Sequence, residues 1–181
     1  MGADRGVLID TEGIALDPVS TALALSRVCE GERFDLIFAG KMATDDGWGQ
    51  VHIGVAEMLG IPHVSPVEGC EFDIAGGGAT LTRAAAGGVK EIVVARLPAV
   101  IGCEKGLNQP RYATLPGIIK AKSKTIDSRS AGDLVDAAAP LYVQRGLTEP
   151  AERGPVKMIA GSSSEVAQEL VRLLREEAKV V

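Results

Sequence analysis

The stretch Asp35-Leu-Ile-Phe-Ala-Gly-Lys-Met-Ala-Thr-Asp-Asp-Gly-Trp-Gly-Gln50 decides the fold. Leu36 to Ala39 is an unbroken apolar run bounded by turn residues, the pattern of a strand covered on both faces. A polar loop with glycines at 40, 47 and 49 follows. Beyond it, Val51, Val55, Met58 and Leu59 recur at helical spacing until Gly60 stops the helix. The same order appears upstream. Val7-Leu-Ile9 reads as a short buried strand, and Asp17-Pro18 opens a helix with Asp as cap and Pro at its first position, where no backbone donor is lost. Val19, Ala22, Leu23 and Val28 form its apolar side, and Glu30-Gly31 ends it. Repeated strand–helix units imply right-handed crossovers and a parallel sheet.

The pattern changes after Pro66. Glu71–Ile74 and Thr80–Arg83 are short alternating runs around Gly76-Gly77-Gly78, and Gly87-Gly88 leads into Glu91–Leu97. Runs separated by glycine turns predict antiparallel hairpins that extend the sheet. Residues 128–154 are polar and rich in Gly and Pro, like an extended arm. From Ser162 a helix is predicted: Ser162 and Glu165 make a capping box, and Val166, Leu170, Leu173 and Leu174 share one face. The fold class is therefore α/β, a mostly parallel sheet with an antiparallel hairpin extension and a C-terminal arm ending in a helix.

Composition narrows the function. The chain has 181 residues, 46% hydrophobic, 24% charged and only 3% aromatic, so aliphatic packing fills its core. A net charge of −5 with no basic stripe argues against nucleic-acid binding. Three scattered cysteines (Cys29, Cys70, Cys103) and two histidines (His52, His63) argue against a zinc or iron–sulfur site. No apolar run is long enough to insert in a membrane, and the start does not resemble a secretory signal, so a cytoplasmic location is expected.

The loop after the apolar strand is the candidate ligand site. In an open parallel sheet, ligands gather where strand carboxyl ends meet helix amino ends, and unpaired N–H groups there favour anions. Gly47 and Gly49 permit close backbone approach, and Lys41 supplies positive charge. Asp45 and Asp46 suit helix caps or contacts to a ribose or base rather than to phosphate. The loop matches neither a Walker A motif nor the dinucleotide fingerprint. Read on spacing alone, it is equally a turn in which Asp46 caps the following helix.

Longer segments carry a resemblance. Asp35–Asp46 is similar to the strand and Gly-Lys-Gln-Ala-Ile-Asp loop of electron transfer flavoprotein β subunits. Asn108-Gln-Pro-Arg-Tyr-Ala-Thr-Leu-Pro116 resembles that family's Asn-Glu-Pro-Arg-Tyr-Ala-Thr-Leu-Pro segment, and Arg83 to Gly102 parallels its signature. The resemblance implies a Rossmann-like fold of the adenine-nucleotide α-hydrolase type. It implies a nucleotide-binding domain over residues 1–127, and an arm and helix over 128–181 that pack on an α subunit. It also implies a carrier without catalytic residues of its own. Paired with an FAD-bearing α subunit, such a carrier takes electrons from acyl-CoA and related dehydrogenases to the respiratory chain or another acceptor. AMP, or FAD in bifurcating members, is expected at Gly40, Lys41, Ala43, Asp45, Asp46, Gly49, Gln50 and Val51. A recognition loop for the dehydrogenase maps to Arg111, Tyr112, Leu115, Pro116 and Lys120, with Leu115 as the apolar anchor.

Several positions depart from the family pattern. The sequence begins inside that pattern, which leads to the expectation of a truncated product or of a second polypeptide completing the sheet. His52 stands where the family has glycine, and Ala84-Ala85-Ala86 replaces a stretch that is usually acidic. Gly102 stands where the signature has Thr, Ala or Cys. A stand-alone adenine-nucleotide module, or a non-functional remnant, is the alternative to the carrier.

Overall fold

The computed structural model describes residues 2–135 and 141–180. Two compact units are present, Met1–Val143 and Gln144–Val181.

The first unit holds β1 (Gly6–Asp10), α1 (Pro18–Cys29), β2 (Leu36–Gly40), α2 (Val51–Leu59), β3 (His63–Asp73), β4 (Gly78–Ala84), β5 (Lys90–Arg96), β6 (Ala99–Cys103), α3 (Leu115–Lys122), β7 (Ile126–Ser130) and α4 (Ala131–Leu134). A five-stranded sheet runs in the order β2-β6-β3-β4-β5. β2 and β3 both pair parallel to β6, and β3-β4 and β4-β5 pair antiparallel, so the glycine-flanked runs form the predicted hairpin extension.

Alternation along β6 divides the core. Val100 faces α1 and α2, in a cluster with Ala22, Val55 and Ala56. Its neighbour Ile101 points to the other face, among Val64, Val67, Ala79, Leu81 and Ala95. Val67, Leu81, Val100 and Ile101 are fully buried, each contributing about 1.5–3 kcal/mol of burial. The helices meet closely because Gly54 lacks a side chain: a Cβ there would stand 2.7 Å from the Ala22 Cβ.

The expectation of full cover is corrected for two strands. Among the described residues, β2 lies at the sheet edge and pairs only with β6. Ile37 packs under the helices, while Phe38 rests edge-on against Phe72 at 6.0 Å and stays 52% exposed. β1 joins β7 in a separate two-stranded parallel sheet, with Gly6 opposite Ile126. Ile9 packs against Ala24, Leu134 and Val135, whereas Leu8 is exposed. A two-stranded ribbon with helices on one side cannot bury both faces. β7 and α4 occupy the start of the segment read as an arm, of which residues 136–140 lie outside the described residues.

In the second unit, α5 (Ser163–Glu176) begins at Ser162, and the capping box with Glu165 forms as the sequence predicts. Arg172 bonds Glu169 and Glu176 one turn to either side. Val166, Leu173 and Leu174 are half-buried, while Leu170 is exposed.

Candidate functional site

Residues 41–50 connect the carboxyl end of β2 to the amino end of α2. Gly47 and Gly49 adopt φ of 66° and 61°, the left-handed region that glycine enters without a Cβ penalty. The expected cap is absent. Asp46 Oδ1 instead accepts from the Trp48 amide at 3.1 Å, closing a turn inside the loop, and α2 starts five residues later. Gln50 occupies the N-cap position and makes no side-chain capping bond. The first-turn amides of α2 therefore have neither an intrahelical acceptor nor a side-chain one. That donor set fits a phosphate or other anion.

The sequence-predicted residues fall around this turn. Gly40 ends β2, Lys41 follows it, Ala43, Asp45 and Asp46 are exposed along the loop, and Gly49, Gln50 and Val51 lead into α2. Lys41 Nζ is engaged with Glu104, because parallel pairing sets Gly40 beside Cys103 and brings the next residue of each chain together. The Lys41 ammonium in turn holds the Glu104 carboxyl below the usual carboxylate range. Neither residue announces the other in the sequence; the pairing follows only once β2 and β6 are known to be neighbours.

His52 turns inward. It is 4% exposed, and its Nε2 hydrogen-bonds Ser65 Oγ of β3 at 3.0 Å. The His63 ring lies 5.0 Å away, its own Nε2 buried with no hydrogen-bond partner among the described residues. Burial pushes the His52 imidazole below its ordinary value, and burial together with His52 and Arg83 does the same to His63. The imidazole rests against the backbone of Gly102, where a Cβ would stand 2.7 Å from His52 Cδ2 and 2.4 Å from Ser65 Oγ. Positions 52 and 102, separate in the sequence, thus meet in one contact that Ser65 shares.

A clamp beside the loop was not legible in the sequence. Asp17 caps α1 through the Ser20 amide at 2.7 Å, and its second oxygen accepts from the Leu141 and Tyr142 amides at 2.7 and 3.2 Å. Burial opposes its charge, but these bonds outweigh it and hold the carboxyl below the usual range. The clamp sets Tyr142 against Trp48, ring centroids 4.9 Å apart.

The second candidate region is compact and open. Thr114 caps α3, its Oγ1 accepting from the Gly117 amide at 3.2 Å, with Leu115 and Pro116 as the first helical residues. Leu115 is 71% and Tyr112 fully exposed, and Arg111, Pro116 and Lys120 are exposed as well. α3 contains no buried residue, so Leu115 is not the first core residue of a short helix.

Among the described residues, no helix is long and apolar enough to cross a membrane, and no cluster of His, Cys, Asp and Glu could hold a metal ion.

The electron transfer flavoprotein domain family model matches residues 1–134, a span that includes both regions. The β subunit of electron transfer flavoprotein from Bacillus subtilis (strain 168) is 38% identical over 188 residues, covering 100% of this chain and 71% of that protein. The mitochondrial β subunit of Arabidopsis thaliana is 39% identical over 182 residues, covering 100% and 69%. That of Syntrophomonas wolfei is 44% identical over 131 residues, covering 72% and 50%. On the span and level of these matches, the chain belongs to the electron transfer flavoprotein β-subunit family.

Proposed function

We propose that the protein is a carrier subunit that pairs with an FAD-bearing α subunit and passes electrons from acyl-CoA or related dehydrogenases to the respiratory chain or another acceptor. The observation that carries this reading is the family match over residues 1–134, which takes in the loop after β2 and the exposed start of α3 together. In this reading Gly40, Lys41, Ala43, Asp45, Asp46, Gly49, Gln50 and Val51 hold AMP or FAD. The uncapped amides of α2 meet its phosphate, and the exposed carboxylates face its ribose or base. The flavin on the α subunit supplies the redox chemistry, and this chain positions and docks it. The segment beyond Val143 packs on the α subunit, and the complex works in the cytoplasm.

Leu115 is the docking anchor, flanked by Pro110 and Pro116, which restrict the backbone and lower the ordering cost of binding. Arg111, Tyr112 and Lys120 surround it, and the cations steer an acidic partner. The test is electron transfer from an acyl-CoA dehydrogenase to the assembled heterodimer, comparing wild type with Leu115→Ala. A hot-spot anchor is worth at least about 2 kcal/mol, so transfer efficiency should fall roughly thirtyfold or more at subsaturating carrier. Equal rates would remove Leu115 from the docking surface.

A further inference from the structure

His52 reaches the strands beneath α2 from the same helical turn that presents free amides to the loop. Its Nε2 bonds Ser65 of β3 and its ring lies against Gly102 of β6, so one side chain ties that turn to two strands. We propose that His52 is a positioning residue for the loop: neutral and bonded to Ser65, it fixes the first turn of α2, and proton uptake by the His52–His63 pair releases that turn and weakens anion binding there. The ligand in this inference rests on the nucleotide reading of residues 40–51; the pin itself rests on the geometry alone.

An imidazolium at this position is opposed by burial and by its place at the helix start. The first turn of a helix is the positive end of its dipole. α2 has no acidic residue in that turn. β3 presents the second imidazole, His63, at 5.0 Å, and also Glu68, which pairs with Lys90 at 2.6 Å. β4 presents Arg83, whose guanidinium lies 3.4 Å from the Ser65 carbonyl and pairs with Glu91 at 2.6 Å. After β6 come Cys103 and then Glu104, which is paired with Lys41. Cys29 of α1 lines the same hollow as His52. Each carboxylate named is already paired with a cation, so a proton added to His52 gains no free carboxylate partner among these groups and sits in a buried site. Relief comes by turning the imidazole out to water, which breaks the Ser65 bond and frees the turn.

The expected sign is distinctive. A new cation near a phosphate ordinarily strengthens binding, whereas here acidification weakens it. The test compares wild type with the His52→Gly/Gly102→Ala double variant, which restores family-like residues at both positions, using AMP as the probe at pH 7.5 and 5.5. AMP takes up a proton of its own near pH 6, so the difference between the two proteins is the readout. Amide exchange of residues 50–54 and the imidazole resonances of the two histidines are followed in parallel without ligand.

Wild type should lose several-fold more AMP affinity than the double variant between pH 7.5 and 5.5, as expected for a single protonation that opposes binding. The protection of its Gly54 amide, which bonds the Gln50 carbonyl at 2.9 Å, should fall with the same midpoint once the intrinsic pH dependence of exchange is divided out. In His63→Asn, which leaves the Ser65 bond, His52 should still titrate below its ordinary value, because its own burial holds it there. Equal affinity losses in the two proteins, or histidines that titrate at the ordinary value with no change in exchange, would overturn the pin. If neither protein binds AMP at pH 7.5, the nucleotide reading falls instead. Amide protection at Gly54 then decides alone, in favour of the pin if acid lowers it only in wild type and against it otherwise.

Discussion

Gly102 leaves the space that His52 fills, and the consequence is measurable. A methyl group at 102 would enter within 2.4–2.7 Å of Ser65 and His52, so Gly102→Ala should destabilise the protein by about 1–3 kcal/mol, the usual cost of overpacking. His52→Gly in the same chain should recover only part of that loss, because Ser65 Oγ and Cβ still stand 2.4 and 2.6 Å from the new methyl, and urea unfolding of the two single variants and the double variant measures the coupling. In the sequence the two positions are separate oddities. Nothing in their spacing says that they touch, because the contact depends on β6 lying beside β3 with α2 above them. The linkage follows from the same burial. Both imidazoles are held below their ordinary value of 6.5. Below that pH the unfolded chain binds protons that the folded chain refuses, so stability is fully present above about pH 6.5 and declines as pH falls through it. Unfolding free energy followed from pH 7.5 to 5 should drop more steeply in wild type than in His52→Gly/Gly102→Ala; parallel curves would show that His52 carries no share of the linkage.

At the scale of elements, the helix ends behave differently. α1 and α5 are closed by full capping boxes, α3 by Thr114, and α2 by no side chain. Thr114→Ala should cost about 1 kcal/mol of local stability in α3, seen as faster amide exchange of residues 115–119. Leu115→Ala should leave unfolding within about 0.5 kcal/mol of wild type, because the side chain is exposed. A larger loss would mean that Leu115 packs against something in the folded state. Elements with strong periodicity or end signals were legible: α1 from Asp17-Pro18, α5 from Ser162 and Glu165, and the hairpins from their glycine turns. β7 was not, since Ile-Asp-Ser-Arg-Ser has neither an apolar run nor alternation, and its pairing with β1 spans more than a hundred residues. β2 was legible as a strand, yet its edge position was not. An apolar run reports what a strand can bury, and strand order is set by partners elsewhere in the chain.

For the molecule as a whole, the loop after β2 and the exposed start of α3 lie in one unit, Met1–Val143, and the amphipathic helix α5 lies in the other. The loop was readable from its place between strand and helix. Its finer settings, Lys41 held by Glu104 and Tyr142 held on Trp48 by Asp17, come from contacts between segments distant in sequence. The protein should therefore report on its own loop: Trp48 is the single tryptophan, and Asp17→Asn, which weakens the hold on Leu141 and Tyr142, should shift Trp48 emission without unfolding the sheet. Unchanged emission would place Tyr142 on Trp48 independently of Asp17.

The most direct measurement is co-expression of this chain with an electron transfer flavoprotein α subunit, followed by size-exclusion chromatography that records flavin absorbance. A yellow complex in which the 18.8 kDa chain co-elutes with its partner is the predicted result. Separate elution of a folded, colourless chain from a flavin-bearing α subunit would contradict the carrier role.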